Sequence, residues 1–117
     1  AAAAVEYVLQ ENGIEFLTVS RSRERGEATY ADLTAETIAK HKLIVNATPV
    51  GMYPAVDDAP ALPYGAITAE HILFDLIYNP ARTRFLALGA AQGARTASGE
   101  EMFVRQAEAS WRIWNRR

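Results

Sequence analysis

Leu43-Ile44-Val45-Asn46-Ala47-Thr48-Pro49-Val50-Gly51-Met52 begins as a short apolar run and changes abruptly to polar and turn-forming residues. A run of that length with turn chemistry at its C-terminal end reads as a strand buried on both faces, as strands of parallel sheets are. Asn46, Thr48 and Pro49 then fall just beyond the sheet's carboxyl edge. In open α/β sheets that edge is where ligands bind.

Upstream of this stretch, Ile14 to Ser20 is β-branched and aromatic enough for a strand, and a second short strand is expected at Glu27 to Tyr30. Thr34 can cap a helix through Lys40 that carries Glu36 in its first turn. At the start, Ala1, Ala4, Val5, Val8 and Leu9 fall at helical spacing and Asn12-Gly13 supplies the stop. That helix has no capping residue and no strand before it, so the chain reads as starting partway through a unit.

Downstream, Pro54, Pro60 and Pro63 make Tyr53 to Gly65 a loop. His71 to Leu76 is the next strand and leads into Ile77, Tyr78, Asn79 and Pro80. Thr83 can cap a helix through Gln92 that Gly93 closes, and Ala94 to Ala97 suits a last short strand. Ser98 and Glu101 have the spacing of a capping box, which opens a long helix to about Asn115. Strands alternating with helices at these lengths predict an α/β fold with a mostly parallel sheet and right-handed crossovers.

The bulk properties narrow the field. At 117 residues the chain is one domain's worth, with half its residues apolar, 22% charged and a formal net charge of -2. That balance leaves no electrostatic footprint for nucleic acid. Without cysteine there is no disulfide framework and no thiolate site, which suits a cytoplasmic protein. No apolar stretch approaches the roughly 20 residues of a membrane span. The sequence leaves a homodimer open.

Chemistry can sit beyond each strand. Arg21, Arg23 and Arg25 follow the Ile14 strand, at the place where a dinucleotide fold meets the adenosine ribose. Arginine there suits a 2′-phosphate through paired hydrogen bonds, so any cofactor would be NADP; the cluster reads equally as a polar surface loop. Thr48 offers an amide or a hydroxyl to a cofactor, or else simple turn chemistry. Tyr78 presents a phenol to a small polar ligand or half-buries its ring. Gln106, beside the apolar stripe of the last helix, either reaches a polyol or faces solvent. Asp75 lies inside an apolar strand and is expected to accept local backbone hydrogen bonds. His41 and His71 share no ligand spacing and read as structural. No G-x-G-x-x-G and no metal-ligand set is visible.

Across almost the whole chain the motifs resemble one family, the shikimate dehydrogenases, in their C-terminal NADP-binding domain of Rossmann-like fold. Asn46-Ala47-Thr48-Pro49 with Gly51-Met52 resembles the family's N-[AT]-T-[PS]-x-G-M signature. Asp75 to Leu86, DLIYNPARTRFL, is similar to its D-x-x-Y-x-P-x-x-T-x-F-L block. Ser98 to Ala107, SGEEMFVRQA, matches a third block in Gly99, Met102, Val104, Gln106 and Ala107.

The resemblance implies that Tyr78 and Gln106 contact shikimate. It also implies that Ser20, Arg21 and Ser22 take the place of the family's N-R-T motif at the NADP 2′-phosphate, with serine replacing its asparagine and threonine. Thr48, Leu76 and Gly99 would line the nicotinamide half. The implied reaction is reversible hydride transfer between NADPH and the C3 carbonyl of 3-dehydroshikimate, in aromatic amino-acid biosynthesis. The family's catalytic lysine and aspartate belong to an N-terminal substrate domain with no counterpart in these residues, so the chain alone is expected to be inactive.

The resemblance further places the family's glycine-rich phosphate loop and first strand before Ala1. That strand is central in the order 3-2-1-4-5-6. Without it the Ile14 and Leu43 strands lack their shared partner, and unpaired buried backbone groups cost on the order of 1–3 kcal/mol each against a net stability of roughly 5–15 kcal/mol. The 117 residues therefore read as a partial domain, truncated or incompletely recorded, with its C-terminal helix at about 99–115. Two other readings stand beside this one: a quinate/shikimate dehydrogenase using NAD or NADP, and a non-catalytic nucleotide-binding module.

Overall fold

The computed structural model describes residues 2–21, 28–77, 79–99 and 105. Its first helix, α1 (Ala2–Glu11), ends as the Asn12-Gly13 pair predicts. Gly13 turns left-handed at φ 66°, so that the Ile14 amide donates to the Leu9 carbonyl at 2.9 Å and the Gly13 amide to Gln10 at 3.1 Å. These paired bonds satisfy carbonyls that a helix end otherwise leaves open. Further caps follow the sequence. Thr34 starts α2 (Ala35–Lys40) by accepting from the Thr37 amide at 3.3 Å, and Thr83 starts α3 (Arg84–Ala91) by accepting from Leu86 at 3.3 Å.

The strands are β1 (Val19–Ser20), β2 (Ala28–Thr29), β3 (Leu43–Asn46), β4 (Ile72–Asp75) and β5 (Arg95–Ser98). Every pairing among them is parallel. They form two sheets, β1-β2 and β3-β4-β5. The expected Ile14–Ser20 strand is thus shortened to its last two residues; of the expected Glu27–Tyr30 strand, Ala28–Thr29 is strand and a 3-10 turn at Tyr30–Asp32 follows, while Glu27 lies outside the described residues.

A cleft of about 600 Å³, lined by Ile14 to Val19, explains the first change. It is lined by residues of both sheets, Val19 of β1, Val45 of β3 and Phe74 of β4, together with Phe16. A strand is held by a neighbour's amides and carbonyls as much as by its own propensity. Where the flanking segments face a gap instead of each other, only the stretch that reaches β2 forms a ladder.

The same gap corrects the expectation for Leu43 to Val45. With β3 at a sheet edge these residues are half-buried, not buried on both faces. The central strand, β4, takes that role. Leu73 points into a core with Ile38, Ile67, Phe85 and Leu86, while Phe74 points the other way into a cluster with Val5 and Leu9. Side chains alternate across a strand, so one strand feeds both cores and the sheet lies between α1 on one face and α2 and α3 on the other. Gly89 lets α3 close on Leu73, since a β-carbon there would sit 3.3 Å from Leu73 Cγ and closer still to one of its methyls.

The tie between α2 and the start of β4 is His71, which is 1% exposed. Its Nδ1 accepts from the Thr68 amide at 3.0 Å, so Nε2 carries the proton and donates to the Ile38 carbonyl at 2.8 Å. The structural reading of this histidine agrees with those bonds. The expected helix after Ser98 lies outside the described residues, apart from Arg105, which is helical. Among the described residues no helix is long and apolar enough to cross a membrane.

Candidate functional site

Parallel pairing aligns three strand tips. Asn46 stands opposite Asp75, and Asp75 opposite Ser98, as the last partners of the two ladders. The chain leaves the sheet at the same level three times, so Thr48, Leu76 and Gly99 all lie just beyond one edge. Backbone bonds tie the tips together, the Leu76 amide donating to Asn46 O at 3.1 Å and the Gly99 amide to Asp75 O at 2.9 Å. Gly99 adopts φ 98°, and a β-carbon there would meet nothing within 4 Å among the described residues.

Behind the edge is a buried polar network. The Asp75 side chain is inaccessible to solvent, and its oxygens accept from three groups: Thr83 Oγ1 at 2.6 Å, the Ile77 amide at 2.9 Å and Asn46 Nδ2 at 3.3 Å. Asn46 also donates to Val50 O at 3.2 Å, and its Oδ1 accepts from both the Thr48 amide at 3.1 Å and the Thr48 hydroxyl at 2.6 Å. The Thr48 oxygen in turn accepts from the Val50 amide at 3.2 Å. Every donor is used, as buried polar groups require. The expectation that Asp75 accepts a local backbone bond is met by Ile77, but its bonds to Asn46 and Thr83 were not legible. Thr83 signalled only a helix cap, and Asn46 only a turn.

The network limits what Thr48 can offer a ligand. Its amide and its hydroxyl proton are both committed to Asn46, so toward the open side it has an oxygen lone pair and its carbonyl. It is an acceptor there.

Ser20 ends β1 and Arg21 follows it, exposed. Arg21 acts on Tyr30: burial raises the Tyr30 phenol above its ordinary value, and the nearby guanidinium partly offsets the rise. The cleft is bordered by Val19 and Tyr30 near the β1 tip and by Asn46, Ala47 and Thr48 at the β3 tip, so the two tips open on one space. Sequence reasoning gave Tyr30 no part in this, because an isolated tyrosine after a short strand carries no spacing signal. Ser22, Tyr78 and Gln106 lie outside the described residues. Among the described residues no cluster of three or more histidine, aspartate or glutamate side chains could hold a metal.

Parallel strands, helices on both faces of the larger sheet and polar groups gathered beyond its carboxyl edge define an α/β domain of the Rossmann-like, nucleotide-binding kind. No family model matches the chain. A shikimate dehydrogenase (NADP(+)) of Salinibacter ruber is 36% identical over the whole of this chain and 48% of its own length. Among solved structures, a shikimate dehydrogenase in complex with NADP+ superposes with a TM-score of 0.56 at 26% identity, covering 96% of this chain and 36% of the other. A quinate dehydrogenase from Corynebacterium glutamicum in complex with NAD gives 0.52 at 29% identity over 73% of this chain and 29% of the other. The chain belongs to the shikimate dehydrogenase family, and it spans about half the length of the curated relatives it matches.

Proposed function

We propose that the chain is the NADP-binding portion of a cytoplasmic shikimate dehydrogenase, which reduces 3-dehydroshikimate reversibly to shikimate. The nicotinamide supplies the hydride, and the protein supplies binding and orientation. In this reading the Arg21 guanidinium holds the 2′-phosphate, with the hydroxyls of Ser20 and Ser22 beside it. Thr48, Leu76 and Gly99 line the nicotinamide half, where Gly99 lets a flat ring approach and Thr48 accepts a hydrogen bond. Tyr78 and Gln106 hold the hydroxyls and carboxylate of shikimate. Proton transfer at the substrate oxygen falls to the family's lysine and aspartate, supplied by a substrate domain.

The observation that carries this reading is the shared level of Asn46, Asp75 and Ser98, since it brings residues from three distant stretches of sequence to one sheet edge. The likeness to an NAD-bound quinate dehydrogenase favours a second reading, a quinate/shikimate enzyme using NAD. Arg21 separates the two, because a guanidinium after β1 has a 2′-phosphate to bind only in NADP. Calorimetry on the full polypeptide should show Arg21→Ala weakening NADP+ by about tenfold or more, the loss of a charge-assisted contact, and NAD+ hardly at all. Equal losses for both cofactors remove the 2′-phosphate role and leave the NAD reading.

A further inference from the structure

We propose that Asp75 is a positioning residue for the nicotinamide half of the site, acting through Asn46 and Thr83 without touching the cofactor. The inference rests on the NADP reading above, and it concerns a buried group to which that reading gives no task. The Asp75 carboxyl draws on three separate segments. Through Asn46 Nδ2 it holds the turn after β3, through the Ile77 amide the turn after its own strand, and through the Thr83 hydroxyl the first turn of α3.

Those bonds run in one direction. The Leu86 amide donates to Thr83, Thr83 donates to Asp75, Asn46 donates to Asp75, and Thr48 donates to Asn46. Asp75 is the acceptor on which the chain of donors ends. Its polarity leaves Thr48 with only acceptor positions for a ligand, which matches the donor end of a carboxamide such as that of nicotinamide. An aspartate at this point therefore fixes both where the tips stand and which way the Thr48 hydroxyl faces.

An asparagine has the same shape but must turn an N–H toward Ile77 or Thr83, both of which donate to Asp75. Asp75→Asn reverses part of the network with little change in volume. The test compares two ligands of the full polypeptide by calorimetry: NADP+, and adenosine 2′,5′-bisphosphate, which lacks the nicotinamide half. Asp75→Asn should weaken NADP+ by about tenfold or more and leave the bisphosphate within about twofold, as expected when a hydrogen bond to a charged group is lost at one end of the site only. Thr83→Val should show the same selective loss in smaller measure, and Thr83→Ser, which keeps the hydroxyl, should restore NADP+ binding.

Amide hydrogen exchange supplies a readout that needs no nucleotide. In Asp75→Asn, exchange should quicken together at Thr48, Val50, Ile77 and Leu86, while Leu73 and Phe74 keep their protection. Equal weakening of both ligands, or quickened exchange throughout β4, makes Asp75 a general stabiliser and overturns the proposal. Unchanged NADP+ affinity overturns it too. If the unsubstituted protein binds neither ligand, the nucleotide reading fails, and this one with it.

Discussion

Gly89 offers the sharpest test of how α3 packs on the sheet, because two well-measured effects oppose each other there. Alanine is about 1 kcal/mol better than glycine inside a helix, so propensity alone predicts that Gly89→Ala stabilises the protein. The structure predicts the reverse. A β-carbon at this position would stand 3.3 Å from Leu73 Cγ and 3.4 Å from Cδ1, and nearer still to Cδ2. Leu73 is completely buried in the middle strand, packed among Ile38, Ile67, Phe85 and Leu86, which must shift if it swings away. Overpacking of this kind costs about 1–3 kcal/mol, and the depth of the overlap puts this case at the upper end, for a net loss of about 2 kcal/mol.

The cause is identified by a double-mutant cycle. Leu73→Ala alone should cost about 2–5 kcal/mol through lost contacts and the cavity it leaves. In that background the extra methyl enters vacated space, so Gly89→Ala should change sign and gain about 1 kcal/mol. The coupling between the two sites would then be about 3 kcal/mol, the top of the range for residues in direct contact. Urea unfolding of the four proteins, followed by far-ultraviolet circular dichroism, measures all the terms. A stabilising Gly89→Ala in the unsubstituted protein, additive with Leu73→Ala, would refute the close helix-on-sheet packing.

Two further predictions concern the half-buried Tyr64 and the buried His71. The Tyr64 phenol donates to Pro60 O at 2.7 Å; burial first, then Tyr30 and Asp75, raise its pKa well above the ordinary 10.0, with Arg84 opposing. Its contribution to stability is therefore complete below pH 10.0 and declines as the pH rises beyond it, where the unfolded chain gives up the proton more readily. In urea titrations Tyr64→Phe should cost about 1 kcal/mol at neutral pH and flatten that alkaline decline; a decline of unchanged steepness would place its source elsewhere. His71→Phe leaves the Thr68 amide without its partner and the Ile38 carbonyl with the His41 amide as its remaining donor, and should cost about 1–3 kcal/mol in the same measurement. A cost below about 0.5 kcal/mol, the usual range for surface changes, would mean that water replaces the ring.

The order and kind of the elements were written in the sequence because their signals are local. Gly13 closes α1, Thr34 and Thr83 open α2 and α3, and polar residues follow each apolar run, all through bonds that span five residues or fewer. That Thr48, Leu76 and Gly99 lie just beyond strand ends was legible on the same grounds, while the cofactor roles proposed for them come from the family motifs.

Only the tertiary structure decided which apolar run is central and which lies at an edge. Leu43-Ile44-Val45 and Ile72-Leu73-Phe74 look alike as sequence, yet Leu73 and Phe74 are buried on opposite faces of the sheet, while Leu43 to Val45 are half-buried. The link between Asn46 and Asp75 joins positions 29 residues apart, and no periodicity reports it. The physical reason is common to both cases: a helix closes its hydrogen bonds within its own turns, whereas a strand and a buried carboxyl are completed by groups that another part of the chain must bring.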